Sequence, residues 1–323
     1  MNLINISPDQ YANDQASKIN QNFSALKSAV EQTGGGGGGG GDNEFFNYIP
    51  LRGLYDTTLP KQKVLAIGNS FLLYPLYPFV QVIGLSGAES TDYYLQHEGI
   101  TGSSGNTLKL GLDKVKNNTA GSASAHKCYG SGGWNDAPGY RSALSSNWDA
   151  IIFQQRSDDV TDYTSYQPYL AALAAAAKHY CTNRNVKIGW HMIWDKYHGT
   201  SNSQREMIVV NTRRVIEDCG IDFIVPTGTA FENAWANGMT LQLDGSGHPT
   251  NAAAQFLASA TWYQALYSVV IGKDIVDDMA PSTSLSWTSA GSTLTISPET
   301  AVDAEKCAKA ACEDMWNVST NIL

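Results

Sequence analysis

Three residues of the sequence have the types that a hydroxyl nucleophile needs, although they lie far apart along the chain. Ser70 ends an apolar run in KVLAIGNSFLLYP, and Asp244 and His248 lie together in LDGSGHPT. A serine hydroxyl becomes a strong nucleophile when a histidine takes its proton and a carboxylate orients that histidine. An isolated Gly-Asn-Ser is otherwise typical of a turn that begins a helix, and an isolated Asp-x-x-x-His of a solvated loop or half a metal site. The combination favours nucleophilic catalysis.

The elements that must position these residues are short apolar strands that alternate with helices. Helical patterns cover 168–180 and 204–219, and the apolar runs lie at 64–67, 151–153, 186–190 and 223–225. Buried strands separated by helices predict a three-layer α/β/α sandwich with a mainly parallel sheet. A last helix is predicted over 297–316, with Ser297 as its cap and Pro298 in its first turn.

The predicted sheet would place Ser70 at the carboxyl end of the first strand, where open parallel sheets bind their ligands. The stretch from Gly87 to Trp148 is rich in glycine and serine and has few apolar runs. Long ordered loops at such an edge often form a site, so we expect this stretch to contribute loops to it.

Six segments in order resemble the SGNH (GDSL-type) hydrolases, in a branch with G-N-S-F at the nucleophile. The resemblance covers about residues 63–270, and the segments read AIGNSF, HEGITGSSGNTLKLGL, WDAIIFQQRSDD, VKIGWHMIW, IDFIVPTGTAFENA and LDGSGHPT. The resemblance implies an SGNH/flavodoxin-like fold and a carboxylic ester hydrolase that removes acetyl or other small acyl groups from a carbohydrate. It implies neither a metal nor an organic cofactor. The G-x-S-x-G motif of the α/β-hydrolases is absent from the sequence.

The same resemblance implies roles for individual residues. Ser70 matches the nucleophile, His248 the general base and Asp244 the residue that orients it, while the backbone N–H of Gly102 matches a donor that joins that of Ser70 in the oxyanion hole. The family has one residue fewer between its aspartate and histidine than this chain. A backbone carbonyl that orients His248 therefore stays an alternative to Asp244.

The third oxyanion donor of the family is an asparagine, and this chain has Gln154 and Gln155 at the corresponding strand end. A glutamine amide can donate in the same way, and adjacent strand residues point to opposite faces. We predict that Gln155 faces the oxyanion and that the other glutamine bonds loop backbone.

Further residues are predicted to contact the substrate or to form a rim on which sugars stack. The predicted substrate contacts are Asn69, Gln154, His191 and Trp194. The aromatic rim would comprise Trp134, Trp190, Trp194, Tyr93, Tyr94 and Tyr129, for which core packing is the alternative. His191, Asp195 and His198 would share one face of a helix and could then hold a metal, but His191 follows a strand-like run, so no metal site is predicted.

Eight consecutive glycines, Gly34–Gly41, divide the chain. They predict a flexible linker over 34–43 between an N-terminal segment, 1–33, and the hydrolase domain, 44–323. Apolar residues in the N-terminal segment follow the a/d spacing of a short coiled coil, at Ala16, Ile19, Phe23, Leu26 and Val30. A homotrimer through residues 12–32 would satisfy this seam, and a helix that packs on its own domain is the alternative. The segment ASKINQNFSAL also resembles the attachment regions of bacteriophage tail proteins.

Composition excludes several classes of function. The 323-residue chain has a net charge of −9, which argues against nucleic-acid binding, and its apolar runs are too short to span a membrane. Its five cysteines form no C-x-x-C pair and are expected to be reduced. The start lacks the pattern of a signal peptide.

Taken together, the motifs and resemblances predict a deacetylase of acetylated host polysaccharide. Its predicted location is the virion if the tail resemblance holds and the cytoplasm otherwise. A non-catalytic glycan-binding module is the alternative.

Overall fold

A computed structural model describes residues 62–89, 92–100, 106–119, 127–130 and 139–323. The predicted N-terminal segment, its trimer seam and the glycine linker lie outside these residues. The strands are β1 (Gln62–Gly68), β2 (Tyr93–Gly99), β3 (Lys127–Gly130), β4 (Ala150–Phe153), β5 (Lys187–His191), β6 (Phe223–Val225), β7 (Leu285–Ser289) and β8 (Ser292–Ile296). The α-helices are α1 (Ser70–Leu73), α2 (Phe79–Leu85), α3 (Thr107–Asn117), α4 (Tyr140–Leu144), α5 (Tyr169–Tyr180), α6 (Arg205–Cys219), α7 (Thr227–Ala236), α8 (Ala252–Leu266), α9 (Ser268–Ile271), α10 (Ile275–Asp278) and α11 (Pro298–Glu313). Short 3-10 turns span Tyr74–Leu76 and Tyr163–Ser165.

The main sheet has the order β3-β2-β1-β4-β5-β6. Its pairings are parallel except that between β2 and β3, which is antiparallel. The chain passes from β1 to one side and later returns to add β4 on the other, so the strand order reverses between β1 and β4. Ligands of open α/β sheets bind at the carboxyl ends of the strands at such a point. Ser70 follows β1 directly and therefore lies there.

Helices cover both faces of the sheet, which confirms the predicted three-layer α/β/α fold. Helices α3, α4, α5 and α6 contact one another in one layer, and α2, α7, α8 and α11 in the other. The predicted strands and helices are confirmed with shifts of at most three residues at their ends, and Ser297 caps α11 with Pro298 in its first turn. Among the described residues, no helix has both the length and the apolarity to cross a bilayer.

The structure differs from the prediction between Gly87 and Trp148. Instead of loops alone, the described parts of this stretch form β2, β3, α3 and α4. Strand β2 lacks an apolar run because it buries Gln96, His97 and Glu98, and the Gln96 side chain donates a 2.7 Å hydrogen bond to the Glu98 carboxylate. Buried polar groups need such partners, and a hydropathy pattern does not reveal them.

A small antiparallel hairpin, β7–β8, stands apart from the main sheet. It packs against α2 and α8, and the Trp287 indole donates a 2.9 Å hydrogen bond to the side-chain oxygen of Gln255 on α8. Four cysteines are buried free thiols: Cys181, Cys219, Cys307 and Cys312.

Candidate active site

The nucleophile turn connects β1 to α1. Asn69 caps α1, because its side-chain oxygen accepts a 3.0 Å hydrogen bond from the backbone N–H of Phe71. Ser70 is the first residue of the helix, and within the described part of the chain its own N–H has no acceptor. The first N–H groups of a helix point outward without partners and favour negative charge. This N–H is therefore free to donate to an oxygen atom of a molecule bound beside Ser70.

Gly68 is needed for close approach, not for a special backbone angle. A Cβ atom at this position would lie 2.6 Å from the side-chain oxygen of Gln154 and 2.4 Å from Leu72. The same Gln154 oxygen accepts a 3.1 Å hydrogen bond from the backbone N–H of Asn69. Gln154 thus braces the nucleophile turn against the end of β4.

Ser70 and His248 meet although 178 residues separate them. The hydroxyl oxygen of Ser70 lies 2.7 Å from Nε2 of His248, and both side chains are partly exposed. With the imidazole proton on Nδ1, the Ser70 hydroxyl donates to Nε2. This is the arrangement in which a histidine removes a proton from a serine.

Asp244 completes the line of hydrogen bonds. Its Oδ2 lies 3.2 Å from Nδ1 of His248, so in the same tautomer the imidazole donates to the carboxylate. Its Oδ1 accepts from the backbone N–H groups of Ser246 at 2.8 Å and of His248 at 2.9 Å. One carboxylate therefore shapes the loop and orients the imidazole, despite the extra residue between them.

The carboxyl of Asp244 is held in its charged form. Burial alone would raise its pKa, but the N–H groups of His248 and Ser246 and the nearby imidazole together keep the pKa below its ordinary value. An ionised Asp244 accepts hydrogen bonds at both oxygens over the neutral pH range. The structure brings together the three residues that the sequence singled out.

Trp194 holds the loop that contains His248 through a hydrogen bond to its backbone. Its indole Nε1 donates a 2.8 Å hydrogen bond to the carbonyl of Gly247, and its ring stacks between Phe71, at 4.8 Å, and Phe231, at 4.7 Å. Trp194 is only 1% exposed, so the prediction that it contacts substrate is wrong. It positions the loop instead.

His191 is also not a substrate contact, because it is fully buried. Its Nε2 lies 2.9 Å from the Thr227 hydroxyl, and its ring packs on Trp262 at 5.3 Å. Burial lowers the pKa of this imidazole to about 3, so it stays neutral in the core.

Both glutamines bond loop residues, so the prediction holds for Gln154, which bonds backbone, and is wrong for Gln155. The amide nitrogen of Gln155 donates to the backbone carbonyl of Ser165 at 3.1 Å and to its hydroxyl at 3.0 Å, and lies 3.3 Å from the side-chain oxygen of Asn106. With its two N–H groups taken by these acceptors, Gln155 is not the predicted oxyanion donor. Gln154 contacts the nucleophile turn, and its amide donates to the carbonyl of Gln155, so it is a brace and not a substrate contact.

The other predicted donor, Gly102, and two predicted rim residues, Trp134 and the side chain of Tyr129, lie outside what the structure describes. Trp190 and Tyr93 are buried, as core packing requires, and Tyr94 lies 5.9 Å from the ring of Trp148. Asn69 is partly exposed beside Ser70 and stays a predicted substrate contact.

The residues weighed as metal ligands are separated in the fold. Asp195 accepts from the Ser203 hydroxyl at 2.5 Å and the Gln204 backbone at 2.8 Å, whereas His198 pairs with Glu232 at 3.1 Å. No cluster of three or more histidine, cysteine or acidic side chains with metal-ligand geometry occurs in the described ranges.

Tyr74 is a site residue that the sequence analysis missed. Its ring stacks on the imidazole of His248 with centroids 4.9 Å apart and an interplanar angle of 20°. Its spacing from Ser70, one helical turn onward, is the signal that places it on the same side of α1.

Gly247 offers a direct test of the loop. Its φ is +86°, and a Cβ atom there would lie 2.5 Å from Cβ of Lys196 and 3.2 Å from the Phe71 ring. We expect Gly247→Ala to displace His248 and to lower by about 10²-fold the rate of any reaction in which His248 takes the Ser70 proton, since small misplacements have such effects. Gly245→Ala is the matched control, because a Cβ there meets no atom within 4 Å. Equal rates for both variants would show that the left-handed turn does not position the imidazole.

Comparison with known proteins gives a family without an assigned activity. The family model described as "Domain of unknown function (DUF4886)" matches residues 63–286. The crystal structure of a DUF4886 family protein from Bacteroides uniformis ATCC 8492 resembles the chain with a TM-score of 0.64 and 21% identity, over 81% of this chain and 98% of that one. This likeness bears on the fold alone. No curated protein matches the chain.

Proposed function

For this chain, which belongs to the DUF4886 family, we propose the function of a serine esterase that removes acetyl or other small acyl groups from a carbohydrate. The observation that carries the proposal is the unbroken line from Ser70 Oγ through His248 to Asp244, with distances of 2.7 and 3.2 Å. A serine, a base and an orienting carboxylate in hydrogen-bond contact are the requirements for covalent ester hydrolysis.

The proposed reaction begins when Nε2 of His248 takes the proton of Ser70 and Oγ attacks the acyl carbonyl carbon. The ester C–O bond then breaks, and the imidazolium returns its proton to the departing alcohol oxygen. Water, deprotonated by His248, attacks the acyl-serine, and release of the carboxylic acid restores the Ser70 hydroxyl. Asp244 stabilises the imidazolium that forms in both steps.

The negative charge on the carbonyl oxygen needs donors in the transition state. The outward N–H of Ser70 supplies one, and the resemblance to SGNH hydrolases suggests Gly102 as a second. Removal of one such donor typically costs about 10²- to 10³-fold in rate. Because Gln155 is not a donor, the proposed oxyanion hole consists of the backbone N–H groups of Ser70 and Gly102.

The small acyl group and the carbohydrate are parts of the proposal that rest on the family resemblance. Attachment to a phage tail through residues 1–33, assembly as a trimer and action on a host surface polysaccharide extend the same proposal. Comparison of the solution mass of the full chain with that of a variant lacking residues 1–41 would test the trimer.

The decisive experiment measures acetate released from p-nitrophenyl acetate and from a panel of acetylated polysaccharides. We expect release by the wild-type chain and none by Ser70→Ala. If the wild type releases no acetate while it binds one of these glycans, the non-catalytic binding module replaces the esterase.

Replacement of Asp244 separates its two functions. We expect Asp244→Ala to lower kcat by about 10²- to 10⁴-fold, because the imidazole loses its orienting partner and the loop loses two acceptor contacts. Asp244→Asn keeps an oxygen for the backbone N–H groups but presents an NH2 donor to Nδ1 of His248, so it tests the charge and the tautomer of the imidazole while the loop contacts are kept. Rates within twofold of the wild type in both variants would assign the orientation of His248 to another group.

A further inference from the structure

The wall of the site beside His248 is aromatic. Tyr74 stacks on the imidazole, and the ring of Phe71 lies 5.6 Å away at an angle of 54°. Phe71 is only 2% exposed, whereas Tyr74 is partly exposed. Of these two rings, Tyr74 is therefore the one that a bound molecule can contact.

Tyr77 extends this wall. Its ring meets that of Tyr74 edge-on, with centroids 5.6 Å apart and an angle of 75°, and it is also partly exposed. No described residue forms a hydrogen bond with the hydroxyl of Tyr74. Burial, followed by Tyr77 and the charge of Asp244, raises the pKa of that phenol, so it is neutral and can donate to a ligand.

The proposed reaction fixes which part of a substrate reaches this wall. The departing alcohol oxygen must come within about 2.6–3.2 Å of His248 Nε2 to receive its proton. The carbon skeleton attached to that oxygen then lies beside the imidazole, next to Tyr74. The acyl group lies on the other side of the reacting carbon, toward the N–H of Ser70.

We propose that Tyr74 and Tyr77 form the subsite for the departing alcohol, and that this alcohol is a cyclic one such as a pyranose. A pyranose offers a flat face of C–H groups for the ring of Tyr74 and hydroxyl groups for its phenol. The inference rests on the proposed esterase function. It specifies the alcohol part of the substrate, which Ser70, His248 and Asp244 do not determine.

The test compares two acetyl esters that differ only in their alcohol: ethyl acetate and a methyl glucoside with one acetyl group. We expect Tyr74→Ala and Tyr77→Ala to lower the ratio of kcat/KM for the sugar ester over ethyl acetate by about tenfold, the effect of losing roughly 50 Å² of apolar contact. Tyr74→Phe keeps the ring and should retain most of the ratio. Tyr180→Ala is the matched control, because this partly exposed tyrosine ends α5, at the edge of the sheet opposite the carboxyl ends of the strands.

The ratio distinguishes the subsite from simple support of the imidazole. If Tyr74→Ala slows both esters equally, Tyr74 only positions His248, and the subsite is overturned while the esterase stands.

A second experiment needs no catalysis. Methyl glucoside is titrated into Ser70→Ala, and its binding is followed by the NMR signals of the tyrosine rings. If the wild type hydrolyses neither ester, the esterase fails. Sugar binding that Tyr74→Ala abolishes would then still support the subsite, and absence of binding would overturn it.

Discussion

Replacing Ser70 by alanine is expected to lower kcat for acetate release by about 10⁴- to 10⁶-fold, the largest effect that any substitution in this chain should have. In the proposed reaction this substitution removes the hydroxyl that forms the acyl bond, and among the described residues no other hydroxyl is hydrogen-bonded to Nε2 of His248. His248→Ala should have a similar effect, because the two side chains act as one unit. The Ser70→Ala/His248→Ala double variant should therefore be no slower than either single variant.

The control for this series is Ser292→Ala, the same substitution at an exposed residue of the β7–β8 hairpin. It should retain the wild-type rate, and melting curves should show that all variants fold. Additive losses in the double variant would contradict a shared role. Residual activity of Ser70→Ala near the wild-type level would place the nucleophile elsewhere.

The second large effect concerns Glu305, which lies in α11 far from the proposed chemistry. Its side chain is fully buried, and neither carboxylate oxygen has a hydrogen-bond partner among the described residues. Burial without a charged partner raises the pKa of this carboxyl from 4.5 to about 8. The folded protein therefore keeps Glu305 neutral at pH values where an unfolded chain ionises it.

This difference has a definite sign. Above pH 4.5 the unfolded state gains stability by losing the proton, and the folded state cannot follow until about pH 8. The free energy of unfolding should fall with rising pH across this interval, by up to ~1.4 kcal/mol per pH unit. Glu305→Gln carries no titrating proton, so we expect it to match the wild type near pH 5 and to exceed it by on the order of 3–4 kcal/mol at pH 8.

Urea unfolding of both proteins from pH 5 to pH 8 measures this difference directly. Glu313→Gln, at an exposed carboxylate on the same helix, is the matched control and should follow the wild type. Because the wild type and Glu305→Gln share every other carboxyl, the difference between these two proteins isolates Glu305. A constant difference over this pH range would show that Glu305 is ionised in the folded state.

The sequence alone was sufficient to predict the strands that are buried on both faces. β1, β4, β5 and β6 consist of apolar runs, and short runs between helices have few alternatives. Strand β2 could not be predicted in this way, because three consecutive polar residues are buried in it. The β7–β8 hairpin was missed because half of its residues face solvent and its sequence is rich in serine and threonine.

Within the site, residue type and order predicted the three members of the hydrogen-bonded line. Strand alternation predicted that only one of Gln154 and Gln155 faces the site, but it could not decide which one, because β4 ends at Phe153 and both glutamines follow it. His191 and Trp194 have side chains typical of substrate contacts. Their burial depends on Trp262 and Phe231, which come from helices later in the chain. Local sequence contains no sign of such packing.

The contacts within the loop that holds His248 indicate which of its residues can differ among related proteins. Asp244 and His248 close it through their own backbone, with a 2.9 Å hydrogen bond from the Asp244 N–H to the His248 carbonyl, and Leu243 and Pro249 bridge its base. These contacts hold the two ends of the loop together and involve none of the residues at its tip, Gly245, Ser246 and Gly247. We expect related chains to differ in the length and composition of this tip, and so in the molecules that they bind, while the imidazole keeps its position beside Ser70.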